Sequence, residues 1–507
     1  MKLYTETDQY KLYEGNMLDM LDVIPENSID AIITDPPYEL NFMNKGWDRS
    51  GIAFQKWTWE KCLKVLKPGG YLLSFGGSRT FHRIACAIED AGFEIRDTIM
   101  WLVGSGFPKS MNIGKAVEAK LTTGSANTQE FKNLDGEKSV AGGWGIKKRD
   151  FEQGYRGRNY DEDEHLYTTD VNYTTEEGKR WDGWGTALKP AFEPVIVARK
   201  PCEGSTTDNV LKYGVGGINI DECRVPISKS DINLINAKSS KNPTDNYNRN
   251  ESKKYGDYAL NIATPANEDG RFPANIILTY DDSDFDEVCG GFPNTKSTGG
   301  SGESSASGGL GNNIYGKYNH DVVADHLGGL GDEGSAARYF YCAKASRLDR
   351  DEGLDAFAEH STGDLQGGRK EGSAGSVMNP LRPDGHIRNN PLNPYAGAGG
   401  VKRNVHPTVK PTSLMQYLVR LVSPKGSTIL DPFNGSGSTG KAVIFENRSR
   451  NADYKYIGIE LSDEYLAISK ARIEYAMTAD MTIEEDGTVK LSKPVKQKHK
   501  TFNLFEL

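Results

Sequence analysis

The stretch AIITDPPYEL, residues 31–40, runs three apolar residues and Thr34 into Asp35-Pro36-Pro37-Tyr38. A carboxylate, two rigid residues and an aromatic ring at the end of a buried strand can do specific chemistry. An exocyclic amine on a base is a poor nucleophile, because its lone pair is spread into the ring. Acceptors aimed at its two N–H bonds favour the tetrahedral geometry needed to attack a sulfonium methyl. Asp35 supplies one acceptor, and the Pro36 carbonyl, held at a rigid strand end, supplies the other. Tyr38 offers a face on which an unstacked base recovers about 1–3 kcal/mol. The same residues also satisfy a plainer description, a strand terminator followed by a packing tyrosine.

A second constellation, DPFNGSGSTGKA at residues 431–442, follows an apolar strand and opens a helix. Backbone N–H groups at such a junction cradle negatively charged groups, and glycine lets a ligand approach the backbone. Gly435, Gly440 and Lys441 sketch a phosphate loop, but Ala442 stands where that loop needs Ser or Thr for Mg²⁺. The alternative is an adenosine-binding turn, which requires an acid closing the next strand. Glu460, in YIGIEL, sits one βαβ step later. A plain tight turn is the third reading.

Both constellations need strands to carry them. YKLYEG, DAIITDPPY, YLLSFGG and FEIRDTIMWL read as strands, and NMLDMLDVIPEN, FQKWTWEKCLKVL and RTFHRIACAIEDAG as helices. Pro68-Gly69-Gly70 reads as a stop between the second helix and its following strand. The period is lost from Gly104 to about Gly185, and FEPVIVARKP returns as a strand. A Gly-, Asn- and Ser-rich middle follows, with short strands expected at FPANIIL and ARYFYCAKA and a linker-like run at residues 297–313. Order resumes at HPTVKPTSLMQYLVRLV, a helix opened by Pro411, then STILDPF, STGKAVIFE, YKYIGIEL and SDEYLAISKARIEYA. The α/β pattern thus brackets the chain, and one domain built from both ends carries a large insertion.

The bulk numbers agree. A length of 507 residues allows several domains, and 37% hydrophobic with 26% charged residues fits a globular protein. A net charge of −9 argues against a nonspecific nucleic-acid coat but permits a local basic cleft. Six scattered cysteines without a CxxC knuckle suggest reduced thiols, a cytoplasmic location and no metal site. The N-terminus has no apolar signal region and no run reaches membrane length, so no membrane association is expected.

Taken together, DPPY, FNGSG, GIEL and HPTVKP resemble the S-adenosylmethionine-dependent amino-group DNA methyltransferases. The DPPY strand precedes the cofactor turn, as in the circularly permuted beta-group order. Middle segments such as GWGTALKPAFEPVIVARKP and GSAARYFYCAKASR are similar to long phage- and prophage-type adenine methyltransferases. The resemblance implies a Rossmann-like α/β methyltransferase domain with a mostly parallel seven-stranded sheet and a large Gly-rich inserted target-recognition domain. It divides the chain into a catalytic half (1–103), an irregular insertion (104–185), a returning strand (186–201), a target-recognition region (202–403), a cofactor half (404–480) and a tail (481–507).

It also implies roles. Asp35, Pro36, Pro37 and Tyr38 hold the flipped base, with Asp35 bordering the cofactor as well. Phe433, Gly435, Gly437 and Thr439 surround S-adenosylmethionine. Asp431 lies near its amino group, Thr408 and Lys410 near its carboxylate, and Glu460 takes the ribose hydroxyls. Asn16 stands where the family often has Asp after the first strand, within reach of the adenine ring. The implied reaction is methylation of adenine N6 in double-stranded DNA without a covalent intermediate. Cytosine N4 is the close alternative, and a P-loop NTPase or a non-catalytic DNA-binding protein the distant ones.

Lys45 and Trp47, in MNKGWD, are candidates for a loop closing over the base, against an ordinary surface loop. Arg271, Arg338, Lys344, Arg347, Arg403 and Lys410 are candidates for a DNA channel, against a solvated face. His82 and His406 read as structural. The tail KPVKQKHKTFNLFEL resembles Gln-anchored sliding-clamp peptides, with Thr501 in place of Gln, so residues 501–507 are weighed as a clamp contact against an apolar tail packing on its own domain. A homodimer is also compatible with the sequence.

Overall fold

The computed structural model describes residues 2–40, 46–103, 110–126, 173–227, 229, 231–233, 236, 269–280, 294–296, 333–335, 340–344, 349–360, 403–483 and 489–491. Lys45, Arg338, Arg347, the run at 297–313 and the tail at 501–507 lie outside these residues, as do the side chains of Trp47 and Lys344. The chain divides into two compact units, one of Met1–Gly104, Phe192–His360 and Lys402–Leu507, the other of Ser105–Ala191 and Ser361–Val401.

The larger unit is built on one sheet. Its strands are β1 (Lys2–Glu6), β2 (Tyr10–Glu14), β3 (Ile29–Thr34), β4 (Leu66–Phe75), β5 (Glu94–Val103), β6 (Phe192–Arg199), β7 (Ile276–Tyr280), β8 (Tyr341–Lys344), β9 (Thr428–Asp431) and β10 (Lys455–Glu460). Their spatial order is β1-β2-β10-β9-β3-β4-β6-β5-β7-β8. All neighbours are parallel except β1–β2, β4–β6 and β6–β5. The sheet is mostly parallel, as the pattern predicts, but ten-stranded rather than seven-stranded. The difference lies at the edges. β1 folds back on β2 as a hairpin, and β7 and β8, from the middle of the chain, extend the far side, so otherwise open backbone edges are paired.

Among the described residues, the α-helices are α1 (Met17–Leu21), α2 (Lys56–Val65) and α3 (Phe81–Asp90), then α4 (Ile113–Thr123) and α5 (Glu176–Arg180) in the smaller unit, then α6 (Thr206–Tyr213), α7 (Thr412–Val422), α8 (Ser438–Arg450) and α9 (Asp463–Thr478). The apolar run of β3 serves both faces of the sheet. Ala31 and Ile33 enter a core with Leu414, Leu418, Val443 and Ile473 of α7, α8 and α9. Ile32 enters a second core with Met20, Trp59 and Ile84 of α1, α2 and α3. This is the three-layer packing of a sheet covered on both sides.

Pro68-Gly69-Gly70 does not separate α2 from the next strand. The helix ends at Val65 and β4 begins at Leu66, with these residues inside it. The register jumps from Ile29–Leu66 to Ala31–Tyr71, so the segment is a bulge. Gly69 has φ +77°, and Asn209 Nδ2 donates to the Pro68 carbonyl at 3.0 Å. A partner distant in sequence thus satisfies the bulge.

In the smaller unit, Glu118 of α4 is buried and accepts from the Thr174 amide at 2.6 Å and the Thr175 amide at 3.1 Å, so its charge is met by backbone donors. Trp181 and Trp184 meet edge to face at 5.3 Å. Among the described residues, no helix is long and apolar enough to cross a membrane and no His, Cys, Asp or Glu group is arranged to hold a metal.

Candidate active site

Strands β10, β9 and β3 are adjacent and parallel, so their carboxyl ends open on one edge of the sheet. Glu460 ends β10, Asp431 ends β9, and Asp35 follows β3 by one residue. The two peptides far apart in sequence are joined directly: Thr34 Oγ1 donates to Asp431 Oδ1 at 2.7 Å. A single cleft is lined by Asp35, Thr408, Lys410, Asp431, Phe433, Gly435 and Thr439, together with His406, Met415, Asn434, Ser436 and Ser438. Ligands of open α/β sheets bind at this edge.

On the Asp35 side, four polar groups form one cluster. Tyr38 Oη lies 2.8 Å from Asp35 Oδ1 and 3.0 Å from Glu193 Oε2. Lys410 Nζ donates to Asp35 Oδ2 at 2.7 Å and lies 3.3 Å from Glu193 Oε2. The ammonium also faces the rings of Phe75 at 5.0 Å and Tyr38 at 5.4 Å, a carboxylate-and-aromatic cage for a cation. Burial pushes the Asp35 carboxyl up, Lys410 opposes this, and Glu193 reinforces it. Burial and the same two carboxylates hold the Tyr38 phenol well above its usual range, so it stays protonated.

The Tyr38 carbonyl accepts from Thr80 Oγ1 at 2.8 Å. The next two amides, Glu39 and Leu40, donate to the buried Asp48 carboxylate at 2.8 and 3.1 Å. Asp48 thus clasps the loop leaving the strand and holds the aromatic ring in place. Removing the clasp in Asp48→Ala would leave those amides without their carboxylate, and a loss of about 1–3 kcal/mol in unfolding free energy is expected by denaturant titration.

On the other side, the β9–α8 turn passes through left-handed backbone at Gly435, φ +51°, and Gly437, φ +72°. A Cβ at Gly435 would come within 2.8 Å of His406 Nε2, and one at Gly437 within 3.0 Å of the Ser469 backbone. Gly437 caps α8 without a side chain, leaving that helix start open to an anionic group. Asp431 accepts from Thr34, Thr439 and the Phe433 amide. Burial nevertheless dominates and pushes its carboxyl up to about 7. Glu460 anchors the turn, accepting from Gly435 N at 2.7 Å and from the Leu461 and Ser462 amides. His406 is held neutral, its imidazole pushed down to about 3 by burial and then by the charges of Lys410, Arg350 and Arg472.

The expected residues therefore fall into groups. Asp35, Thr408, Lys410, Asp431, Phe433, Gly435 and Thr439 share the cleft. Tyr38 adjoins it through Asp35, and Glu460 and Gly437 shape the turn. Asn16 caps α1, accepting from Leu18 N at 3.0 Å, while its neighbour Gly15 donates to the Glu460 carbonyl. Lys441, the candidate phosphate-loop lysine, is fully buried and bound to Asp349 at 2.5 Å and Glu352 at 2.7 Å. Arg271 pairs with Asp231, and Arg403 with Glu359. Three contributors escaped the sequence reading: Glu193, Thr34 and Asp48. A charged residue opening the apolar FEPVIVAR strand was the signal for Glu193.

Residues 29–471 match a family model for N6/N4 DNA methylases, described as DNA methylase. Among similar proteins, the type II methyltransferase M2.MboI of Moraxella bovis is 39% identical over 79 residues, 16% of this chain and 27% of its own length. The DNA adenine methyltransferase YhdJ of Escherichia coli (strain K12) is 36% identical over 88 residues, 17% of this chain and 27% of its own. The chain thus spans only about a quarter of these two relatives. The type II methyltransferase M2.LlaDCHI of Lactococcus lactis subsp. cremoris is 23% identical over 266 residues, 46% of this chain and 92% of its own. Among solved structures, the cytosine-N4-specific PvuII DNA methyltransferase covers 93% of this chain and 90% of its own at 13% identity, with a TM-score of 0.35.

Proposed function

The chain belongs to the N6/N4 DNA methylase family, and on that premise we propose that it transfers a methyl group from S-adenosylmethionine to adenine N6 of double-stranded DNA, with the target base turned out of the helix. The observation that carries this reading is the Thr34 bridge, which puts Asp35 and Asp431 in one cleft. S-adenosylmethionine supplies, when bound, an electrophilic methyl on a sulfonium sulfur. The residues present fit it. A buried acid at Asp431 suits an ammonium, the uncapped start of α8 suits a carboxylate, Phe433 offers an aromatic face, and Gly435 and Gly437 keep the backbone approachable.

Asp35 and the Pro36 carbonyl orient the amine by accepting its two N–H bonds, and Tyr38 supports the base. The DPPY-first order of motifs is the permuted beta-group arrangement, and the middle of the chain reads the DNA sequence. Incubating duplex DNA with labelled cofactor and separating the nucleosides tests the reading. N6-methyladenine supports it, N4-methylcytosine transfers the same mechanism to cytosine, and no labelled nucleoside overturns it.

Cofactor affinity should depend on pH through Asp431. Its carboxyl holds a proton up to about pH 7 in the free chain, whereas a ligand ammonium favours the ionised form. Affinity measured by calorimetry is therefore expected to rise about tenfold per pH unit up to about pH 7 and then level off. Asp431→Asn should flatten the curve. The free chain shows the converse sign. A carboxyl raised on folding stabilises the native state at low pH, and that contribution declines from about pH 4 until it is lost through pH 7.

A further inference from the structure

We propose that Glu193 is the exit carboxylate for the proton that the target amine sheds, reached from Asp35 through the Tyr38 hydroxyl. The inference rests on the methylation reading. Asp35 Oδ1, Tyr38 Oη and Glu193 Oε2 form an unbroken chain with links of 2.8 and 3.0 Å. The phenol has one proton to offer two carboxylate oxygens. With both carboxyls ionised, one of them faces a phenol lone pair with no hydrogen between. The triad therefore has a place for one additional proton. The Asp35 side chain is 20% exposed and the Glu193 side chain 32%, so the chain runs toward its more exposed end. Lys410 borders both carboxyls, and the Asp35 charge adds to the upward shift of Asp431.

The step balances. The N–C bond forms from the amine lone pair, the C–S bond breaks, and sulfur keeps its electron pair as a neutral thioether. The methylated nitrogen then carries a positive charge, and one N–H bond breaks toward Asp35 with the pair remaining on nitrogen. Asp35 passes that proton to the Tyr38 oxygen as the phenolic proton moves to Glu193 Oε2. Glu193 releases it to water. Both carboxylates and the phenol end as they began. Glu193 receives the proton through Tyr38 and touches none of the reacting atoms, so it is a positioning residue.

Glu193→Gln keeps size and hydrogen bonding but accepts no proton. Single-turnover methylation is expected to fall about 100-fold, the low end of acid–base contributions. Cofactor and DNA affinity should change less than threefold, and Glu193→Asp should recover part of the rate. Tyr38→Phe keeps the ring and should lose a similar factor, with the double variant no slower than either single one. The acid limb of the wild-type pH–rate profile should shift in Glu193→Gln. An independent readout needs no cofactor. In free protein carrying carbon-13 carboxyl labels, the Asp35 carboxyl should titrate lower in Glu193→Gln, because the Glu193 charge reinforces its upward shift. A variant with wild-type rate and acid limb, or an Asp35 carboxyl unmoved by Glu193→Gln, would overturn the relay. Wild-type protein that methylates no DNA would instead defeat the function reading beneath it.

Discussion

Asp35→Ala is expected to lower the rate of methyl transfer by about 10²–10³-fold while changing cofactor affinity by no more than a few-fold. Removing one preorganised acceptor or donor aimed at a developing charge typically costs that much. The acceptor here is preorganised, because the Tyr38 hydroxyl and the Lys410 ammonium each hold one of its oxygens. The cofactor side is held separately. Asp431 keeps Thr34 and Thr439, and the turn keeps its anchor at Glu460. The loss should therefore fall on kcat rather than on cofactor binding. Asp35→Asn is the informative companion. Its amide oxygen still accepts a hydrogen bond, but its NH₂ group must share space with a lysine that only donates. It should retain more activity than the alanine variant. Rates from single turnover, cofactor Kd from calorimetry and a circular-dichroism spectrum showing an intact fold check the prediction. A wild-type rate in Asp35→Ala would remove the carboxylate from the mechanism.

That Asp35 and Asp431 would meet was legible in sequence, because both end apolar runs and parallel strands put such ends on one edge. β3 alone carries the argument: its continuous apolar run predicts burial on both faces, and Ala31, Ile32 and Ile33 divide between the two cores. Glu193 was not legible for the opposite reason. β6 is inserted antiparallel between β4 and β5, which brings the start of that strand beside the end of β4, where Gly76 N donates to the Pro194 carbonyl. Strand order within a sheet leaves little trace in local pattern. Lys410 shows a similar limit. Its motif places it near the cleft, but only the fold shows its ammonium between two carboxylates. The bulge at Pro68-Gly69-Gly70 was misread because Asn209, its hydrogen-bond partner, lies far along the chain.

Lys441 gives the second large effect, and it separates two meanings of one glycine turn. A phosphate-loop lysine would be held mainly for a ligand, and replacing it would remove affinity while sparing the fold. Here the side chain is fully buried, donating to Asp349 at 2.5 Å and Glu352 at 2.7 Å. Asp349 also accepts from the Thr412 amide and hydroxyl, and its backbone carbonyl accepts from the buried Arg472. Burial alone would raise the Asp349 carboxyl, but Lys441 and Arg472 outweigh it and bring it down to about 2. The segment at residues 349–360 is thereby fastened to α7, α8 and α9. Lys441→Met keeps the stem volume but takes the ammonium from both carboxylates, and breaking a buried pair from one side costs about 3–5 kcal/mol. Denaturant titration should show that loss directly. A compensating change, Lys441→Met with Asp349→Asn, should recover part of it, because the remaining amide carries no charge to strand. An unchanged unfolding midpoint in Lys441→Met, with nucleotide affinity lost instead, would return the turn to the phosphate-loop reading.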